Sequence, residues 1–380
     1  MLGERFSTQH NSLNFLRLCL ALMVVFSHAV PAGAFGNEEI LNGTGFGTVA
    51  VYGFFGISGY LIAGSAVRNG AGRYLWQRFL RIFPGFWVCL IVTAFVFGVV
   101  GWLSSPLHHC GLSCYFNARS GPFDYVYRDW FLKYNQNAIS GTPIGVPLSL
   151  TWNSSLWTLF YEFLCYLLLV GLSLTGLLRR RVWVLLGSAG LWGTVALITV
   201  TPSLNHHFNV FDNWAVMNFL KFATIFMVGA VIYLYRERIP DSGWLALGCT
   251  AIFVGGLWLP TAGQAPAYTF TTSDLCAPFV AYPLLWLGIH LPFQRVGARN
   301  DYSYGIYIYA FPVTQLLVIW GAWRLGYPVF ALLCVLGTIP FAVGSWWFIE
   351  KRALSWKKVD PKSVTTAILG PGKSSDRKPG

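Results

Sequence analysis

Apolar stretches close to 20 residues long alternate along the chain with shorter polar or basic segments. At 1.5 Å per residue, about 20 apolar residues make a helix that crosses ~30 Å of hydrocarbon. Stretches of about that length lie near 14–34, 45–66, 82–103, 153–175, 182–202, 214–234, 243–260, 274–290, 302–321 and 328–349. They lack strand-length alternation, and a bilayer leaves no backbone polar group unpaired, so helices are predicted rather than a β-barrel. The expected fold is all-α, a polytopic membrane bundle of about ten transmembrane helices. The first run is too long for a secretory signal, holds Arg17 and His28, and is followed by no convincing cleavage pattern, so it reads as part of the bundle.

Two segments fall outside this rhythm. The one from about 104 to 152, aromatic from Phe123 to Tyr134, is long enough to cap the outer end of the bundle. Residues 354–380 are rich in Lys, Ser, Gly and Pro and read as a basic disordered tail, leaving 1–353 as the transmembrane domain. No repeat period is visible.

Composition agrees with this division. Charged residues make up 11% and hydrophobic ones 55%, where a soluble domain carries roughly a quarter charged. A net charge of +12 would suit nucleic acid if the basic residues formed a patch. They sort instead by alternate loops: with the N-terminus inside, 20 of the 26 Lys and Arg fall on the cytoplasmic side. Both termini are then cytoplasmic, and no nucleic-acid partner is expected.

Ionisable residues inside apolar runs are costly and become functional candidates. Arg17 and His28 are three turns apart, so they share a helix face about 16 Å from end to end. The bland readings are a snorkelling arginine and a packed histidine. Glu162, in Trp157-Thr158-Leu159-Phe160-Tyr161-Glu162, lies about 14 Å below the outer boundary and needs a cationic partner or a proton. Arg73, Arg78 and Arg81, beside Trp76 and Phe83, suit a phosphate next to a planar base, or equally a topogenic cluster. Gly53-Phe54-Phe55-Gly56-Ile57-Ser58-Gly59 lets backbones come close. Its Gly-x-Ser-Gly core also matches rhomboid intramembrane serine proteases, a remote alternative that would need a later histidine such as His290 within reach of Ser58.

Taken in order, these motifs resemble acyltransferase family 3, the bacterial integral-membrane O-acyltransferases of surface glycans and related acceptors. Arg17 through His28 is similar to its Arg, ten residues, His motif, and Phe54 to Ile62 to its second-helix signature. Arg78 and Arg81 with Ile82 and Pro84 look like its inner arginine motif, and Trp157-Thr158-Leu159 with Glu162 like its Trp-Thr-Leu-x-x-Glu. Ser303-Tyr304-Gly305-Ile306-Tyr307 resembles its Ser-Tyr motif. Two positions depart: Ala310 stands where many members carry His, and Arg352 where Pro is common.

The resemblance implies transfer of an acyl group other than amino-acyl, acetyl above all, from cytoplasmic acyl-CoA to a hydroxyl of a carbohydrate or glycolipid acceptor outside a bacterial inner or plasma membrane. His28 would be the general base, with Glu162 tuning it if their helices meet. Arg17, Arg78 and Arg81 would hold the donor, and Ser58, Trp157, Ser303 and Tyr304 would line or support the site. A transporter or flippase without catalysis is the alternative, since intramembrane charges also make substrate pathways. No metal is expected. Cys110 and Cys114 could pair on the oxidising side, or bind zinc with His108 and His109, although that spacing matches no standard site. The oligomeric state is not legible.

Overall fold

The protein is described by a computed structural model covering residues 1–7, 10–41, 43–105, 110–201, 213–260 and 270–358. The disordered tail expected over 354–380 lies outside these residues from 359 onward, as do His108 and His109. Among the described residues, eight helices are long and apolar enough to cross a membrane: α1 (Leu13–Ala32), α2 (Phe46–Arg68), α3 (Ala71–Ser104), α4 (Trp157–Leu174), α5 (Arg181–Val200), α6 (Trp214–Tyr235), α8 (Thr272–His290) and α10 (Tyr327–Ser355). Two shorter apolar helices, α7 (Gly243–Trp258) and α9 (Ser303–Ile319), occupy the other two expected positions. Among the described residues, β-structure is confined to a two-stranded ribbon, Glu39–Leu41 with Thr44–Gly45, and one isolated bridge.

The basic segment before residue 82 is helical and belongs to α3, which therefore begins well before the expected apolar run. Arginine is a good helix former, so a charge ends a hydropathy window without ending a helix. The small residues of 53–59 serve close packing. A Cβ on Gly59 would stand 2.0 Å from the Phe226 carbonyl oxygen, and one on Gly229 would stand 2.3 Å from that of Gly56. Helices α2 and α6 thus touch backbone to backbone, as small-residue interfaces in membranes allow. Helix α9 is buried along nearly its whole length and forms the centre against α1 and α10. A π turn at Trp346–Glu350 in α10 leaves Glu350 buried.

The bundle has two chemically distinct ends. At the basic end the first residues pack on the α6 to α7 connection, with the Leu2 amide donating to the Ile239 carbonyl, and the Trp76 indole donates to the Trp356 carbonyl. At the loop end, the segment between α3 and α4 packs along α3 and α9. The Trp87 and Trp130 rings stack at 4.6 Å, Trp152 is fully buried, and the Asn153 amide donates to the Ile308 carbonyl at 2.8 Å. Cys110 and Cys114 are disulfide-bonded, which withdraws both thiolates from the zinc alternative.

Candidate active site

Three neighbouring spaces within the bundle share lining residues. A cavity of about 340 Å³ at the basic end is lined by Arg17, Ser58, Gln77, Arg78, Arg81, Glu162, Tyr166 and Tyr304 among others. A throat of about 40 Å³ between Phe54, Thr158, Glu162, Ser303, Tyr304 and Tyr307 shares Arg17, Glu162 and Tyr304 with that cavity. A loop-end cavity of about 580 Å³ shares Thr158 and Tyr307 with the throat and is lined by His28, Glu38, Trp157, Lys221 and Asp274. The three-turn spacing on α1 sets Arg17 at the first two spaces and His28 at the third.

At the basic end, Asp301 collects two guanidinium groups: Arg17 Nη1 at 3.0 Å and Arg81 Nη2 at 2.5 Å. Its other oxygen accepts the Ser303 hydroxyl at 2.6 Å and the Ser303 amide at 3.2 Å. Burial raises the Asp301 carboxyl, but Arg17, Arg81 and the Ser303 bonds outweigh it and hold the group well below the usual carboxylate range. Arg81 also faces Glu350 at 3.8 Å and lies 5.7 Å from the Tyr304 ring centroid. The Tyr304 hydroxyl donates to the Ile82 carbonyl, tying α9 to α3.

Arg78 is held differently. It lies about 6 Å from the Tyr74 and Tyr166 ring centroids, and among the described residues no carboxylate pairs with it. Its Nε is buried without a hydrogen-bond partner. Lys357 joins Arg17, Arg78 and Arg81 in an adjoining cleft of about 280 Å³. Burial, and then the Arg81 and Arg78 charges, lower its ammonium to about 8. Cations that crowd each other, with one donor left unanswered, form a site an anion would complete.

At the loop end, His28 Nδ1 stands 3.3 Å from Glu38 Oε2, and the ring packs edge-on against Phe311 with centroids 5.3 Å apart. The Ser27 hydroxyl donates to Glu38 Oε1 at 2.7 Å and accepts the Gly47 amide at 2.9 Å. Glycines make room for the acid: a Cβ on Gly45 would come 2.3 Å from the Glu38 carbonyl oxygen, and one on Gly47 would come 2.4 Å from Glu38 Oε1. Burial raises the Glu38 carboxyl, but the bond to and charge of His28, and then Ser27, bring it below its ordinary value. An acid on Nδ1 favours the tautomer with its lone pair on Nε2, the form a general base needs.

Glu162 and His28, whose pairing depended on their helices meeting, have different partners in this geometry. His28 has Glu38 as its carboxylate, whereas Glu162 accepts the Ser58 hydroxyl at 3.2 Å and the Tyr166 hydroxyl. The reason is placement: Glu162 lies less than two turns into α4 and meets α2 at Ser58, while Glu38 comes six residues after the end of α1 on a loop that folds back over it. Ser58 therefore has a carboxylate partner and, among the described residues, no histidine. His290, which a serine protease would have required nearby, pairs with Asp241 at 3.4 Å and stacks on Trp286. Trp157 lines the loop-end cavity, and Ser303 and Tyr304 line the throat.

Several site residues escaped the sequence reading. Glu38 was one acid among several in an outer loop, and Asp301 one charge at the start of an apolar run. Lys221 carried the clearest missed signal, a lone cation inside the 214–234 run.

A multi-pass helical bundle threaded by a charged route is the class that fold and site define. Residues 10–347 match the acyltransferase domain family, acyltransferase 3, and the chain belongs to it. It is 27% identical over 354 residues to an O-acetyl transferase of Shigella phage Sf6, covering 91% of this chain and 96% of that protein. It is 29% identical to nodulation protein 10 of Rhizobium leguminosarum bv. viciae, covering 93% of this chain and 95% of that one. No solved structure matches. The protein is thus a membrane O-acyltransferase, and neither the transporter nor the protease reading is favoured.

Proposed function

We propose that this enzyme transfers an acetyl group from cytoplasmic acyl-CoA to a hydroxyl of a carbohydrate or glycolipid acceptor on the outer side of a bacterial inner or plasma membrane. The observation that carries the reading is the throat, whose walls share residues with an anion-seeking cavity on one side and with the cavity of an acid-backed histidine on the other. The choice of acetyl rests on the phage relative, whose name is O-acetyl transferase. The side assignment rests on the basic residues gathered at one end.

In this reading Arg78 and Lys357 hold the CoA phosphates, while Arg17 and Arg81, fixed by Asp301, orient the pantetheine arm toward the throat. The thioester reaches the region of Glu162, Tyr304 and Tyr307, and the acceptor enters from the loop end. His28 Nε2 takes the hydroxyl proton as the acceptor oxygen bonds the thioester carbonyl carbon. The C–S bond then breaks, and CoA leaves as a thiolate that is reprotonated. Glu38 steadies the imidazolium formed in between. Glu162, hydrogen-bonded to Ser58 and Tyr166, shapes the throat.

His28→Ala in purified, folded protein should lower acetyl transfer by about 10²- to 10⁴-fold while acyl-CoA binding persists. Transfer near the wild-type rate would overturn the assignment. Glycan and lipid mass spectrometry of cells with and without the gene should show the loss of one acetyl increment.

A further inference from the structure

The loop-end cavity that His28 and Glu38 line also holds a second polar cluster that acid–base chemistry does not use. Lys221, on the largely apolar α6, places Nζ 2.9 Å from Asp274 Oδ1. Asp274 is fully engaged: the same oxygen accepts the Tyr52 hydroxyl, and Oδ2 accepts the Thr271 amide at 2.9 Å and its hydroxyl at 3.0 Å. The ammonium is not. It has three donors, and among the described residues Asp274 is its one acidic partner. Beside it, Trp157 and Phe222 line the same cavity with ring centroids 5.8 Å apart, an apolar platform next to a hydrogen-bond donor.

The charge of this space is also uneven. Two carboxylates, Glu38 and Asp274, line it against the ammonium of Lys221, and the exposed Glu39 adds a third at its rim, so acids outnumber lysines and arginines among its lining residues. Like charges set around one cavity in this way oppose an anionic guest. An uncharged ring meets no such opposition: its C–H face can lie on the aromatic platform while a hydroxyl oxygen accepts from Lys221.

We infer that Lys221, held in place by Asp274, is an acceptor-binding residue, and that the loop-end cavity selects an uncharged sugar over an acidic one. The inference rests on the carbohydrate-acceptor reading proposed above and adds to it the charge class of the acceptor and the residue that grips it.

The test uses the full-length protein in detergent, acetyl-CoA, and two glycosides that differ in one group: methyl α-glucopyranoside and its 6-carboxylate. Acetylated product is followed by mass spectrometry and CoA thiol release by colorimetry. The neutral glycoside should be favoured by about 30-fold or more in kcat/KM. Lys221→Met should raise the KM for the neutral glycoside about tenfold, with kcat and the acetyl-CoA KM little changed. Lys221→Arg should recover part of that affinity. Because Lys221→Met strands a buried carboxylate, the double variant Lys221→Met with Asp274→Asn provides the same measurement in a neutral pair. Equal transfer to both glycosides, or an unchanged acceptor KM in the folded variants, would overturn the inference alone. Transfer to neither glycoside by wild type, with thiol still released, would overturn the carbohydrate reading and this inference with it.

Discussion

Arg17 and His28 share one face of α1, yet their surroundings differ in kind. Arg17 shares Asp301 with Arg81, and Arg81 also meets Glu350, so each charge there answers another. His28 has one acid, supplied by a loop, and its ring lines a cavity. The first arrangement draws α1, α3, α10 and the start of α9 together. The second leaves a titratable nitrogen with room beside it. The same cost of burying an ionisable group in a membrane thus accompanies opposite uses, and what the partners leave unanswered tells them apart.

The largest expected effect breaks the basic end. Asp301→Ala leaves two guanidinium groups facing each other without their acid, and removing one partner of a buried ion pair costs about 3–5 kcal/mol. Loss of the monodisperse folded species on size exclusion and a lower melting temperature should follow, whereas His28→Ala should melt like wild type. Equal melting of Asp301→Ala and wild type would erase the distinction between the two ends.

Next comes Glu38→Gln, which keeps the shape beside His28 but removes the charge that steadies imidazolium. Its kcat should fall on the order of 10²-fold, with both KM values nearly unchanged. An effect on donor KM alone would instead assign Glu38 to the scaffold. Arg78→Ala should act in the opposite sense, raising the acetyl-CoA KM roughly tenfold with kcat at saturating donor retained. Isothermal titration with CoA gives the same comparison without turnover, and unchanged affinity would return Arg78 to an orienting charge.

How much of this was legible in the sequence follows the range of each interaction. Helices and the shared face of Arg17 and His28 are local consequences of 3.6-residue periodicity, so they could be read directly. The crowding of Gly56 and Gly59 was legible as small-residue spacing, although their partner on α6 was not. Glu38 and Asp301 were not legible as site residues: their roles depend on a loop folding back over α1 and on α9 sitting at the centre. Periodicity says nothing about which helices meet. Whether Glu162 meets His28 stayed open for the same reason, since a depth along one helix does not fix a neighbour on another. Lys221 could have been found, because a lone cation in an apolar run needs no tertiary knowledge to be suspect.

The smallest effect separates two buried aspartates by pH. Burial raises the Asp129 carboxyl, in the segment between α3 and α4, to about 7 from 3.8, outweighing the Asn135 and Gln136 amides and the Arg128 charge. The Arg17 and Arg81 charges drive that of Asp301 the other way, against its own burial. Below pH 3.8 Asp129 is protonated in both folded and unfolded chains; as pH rises toward 7 only the unfolded chain releases the proton, so stability declines across that window. Asp301 behaves inversely: its contribution is complete above its ordinary value and is lost only as pH falls below it, so it adds no slope between pH 5 and 8, roughly. Asp129→Asn should therefore flatten the decline in melting temperature between about pH 4 and 7 by a few degrees, leaving transfer activity unchanged. If the slope survives in Asp129→Asn and disappears in Asp301→Asn, the titrating acid belongs to the basic end, and the fixed charge assigned to Asp301 is the part of the comparison that fails.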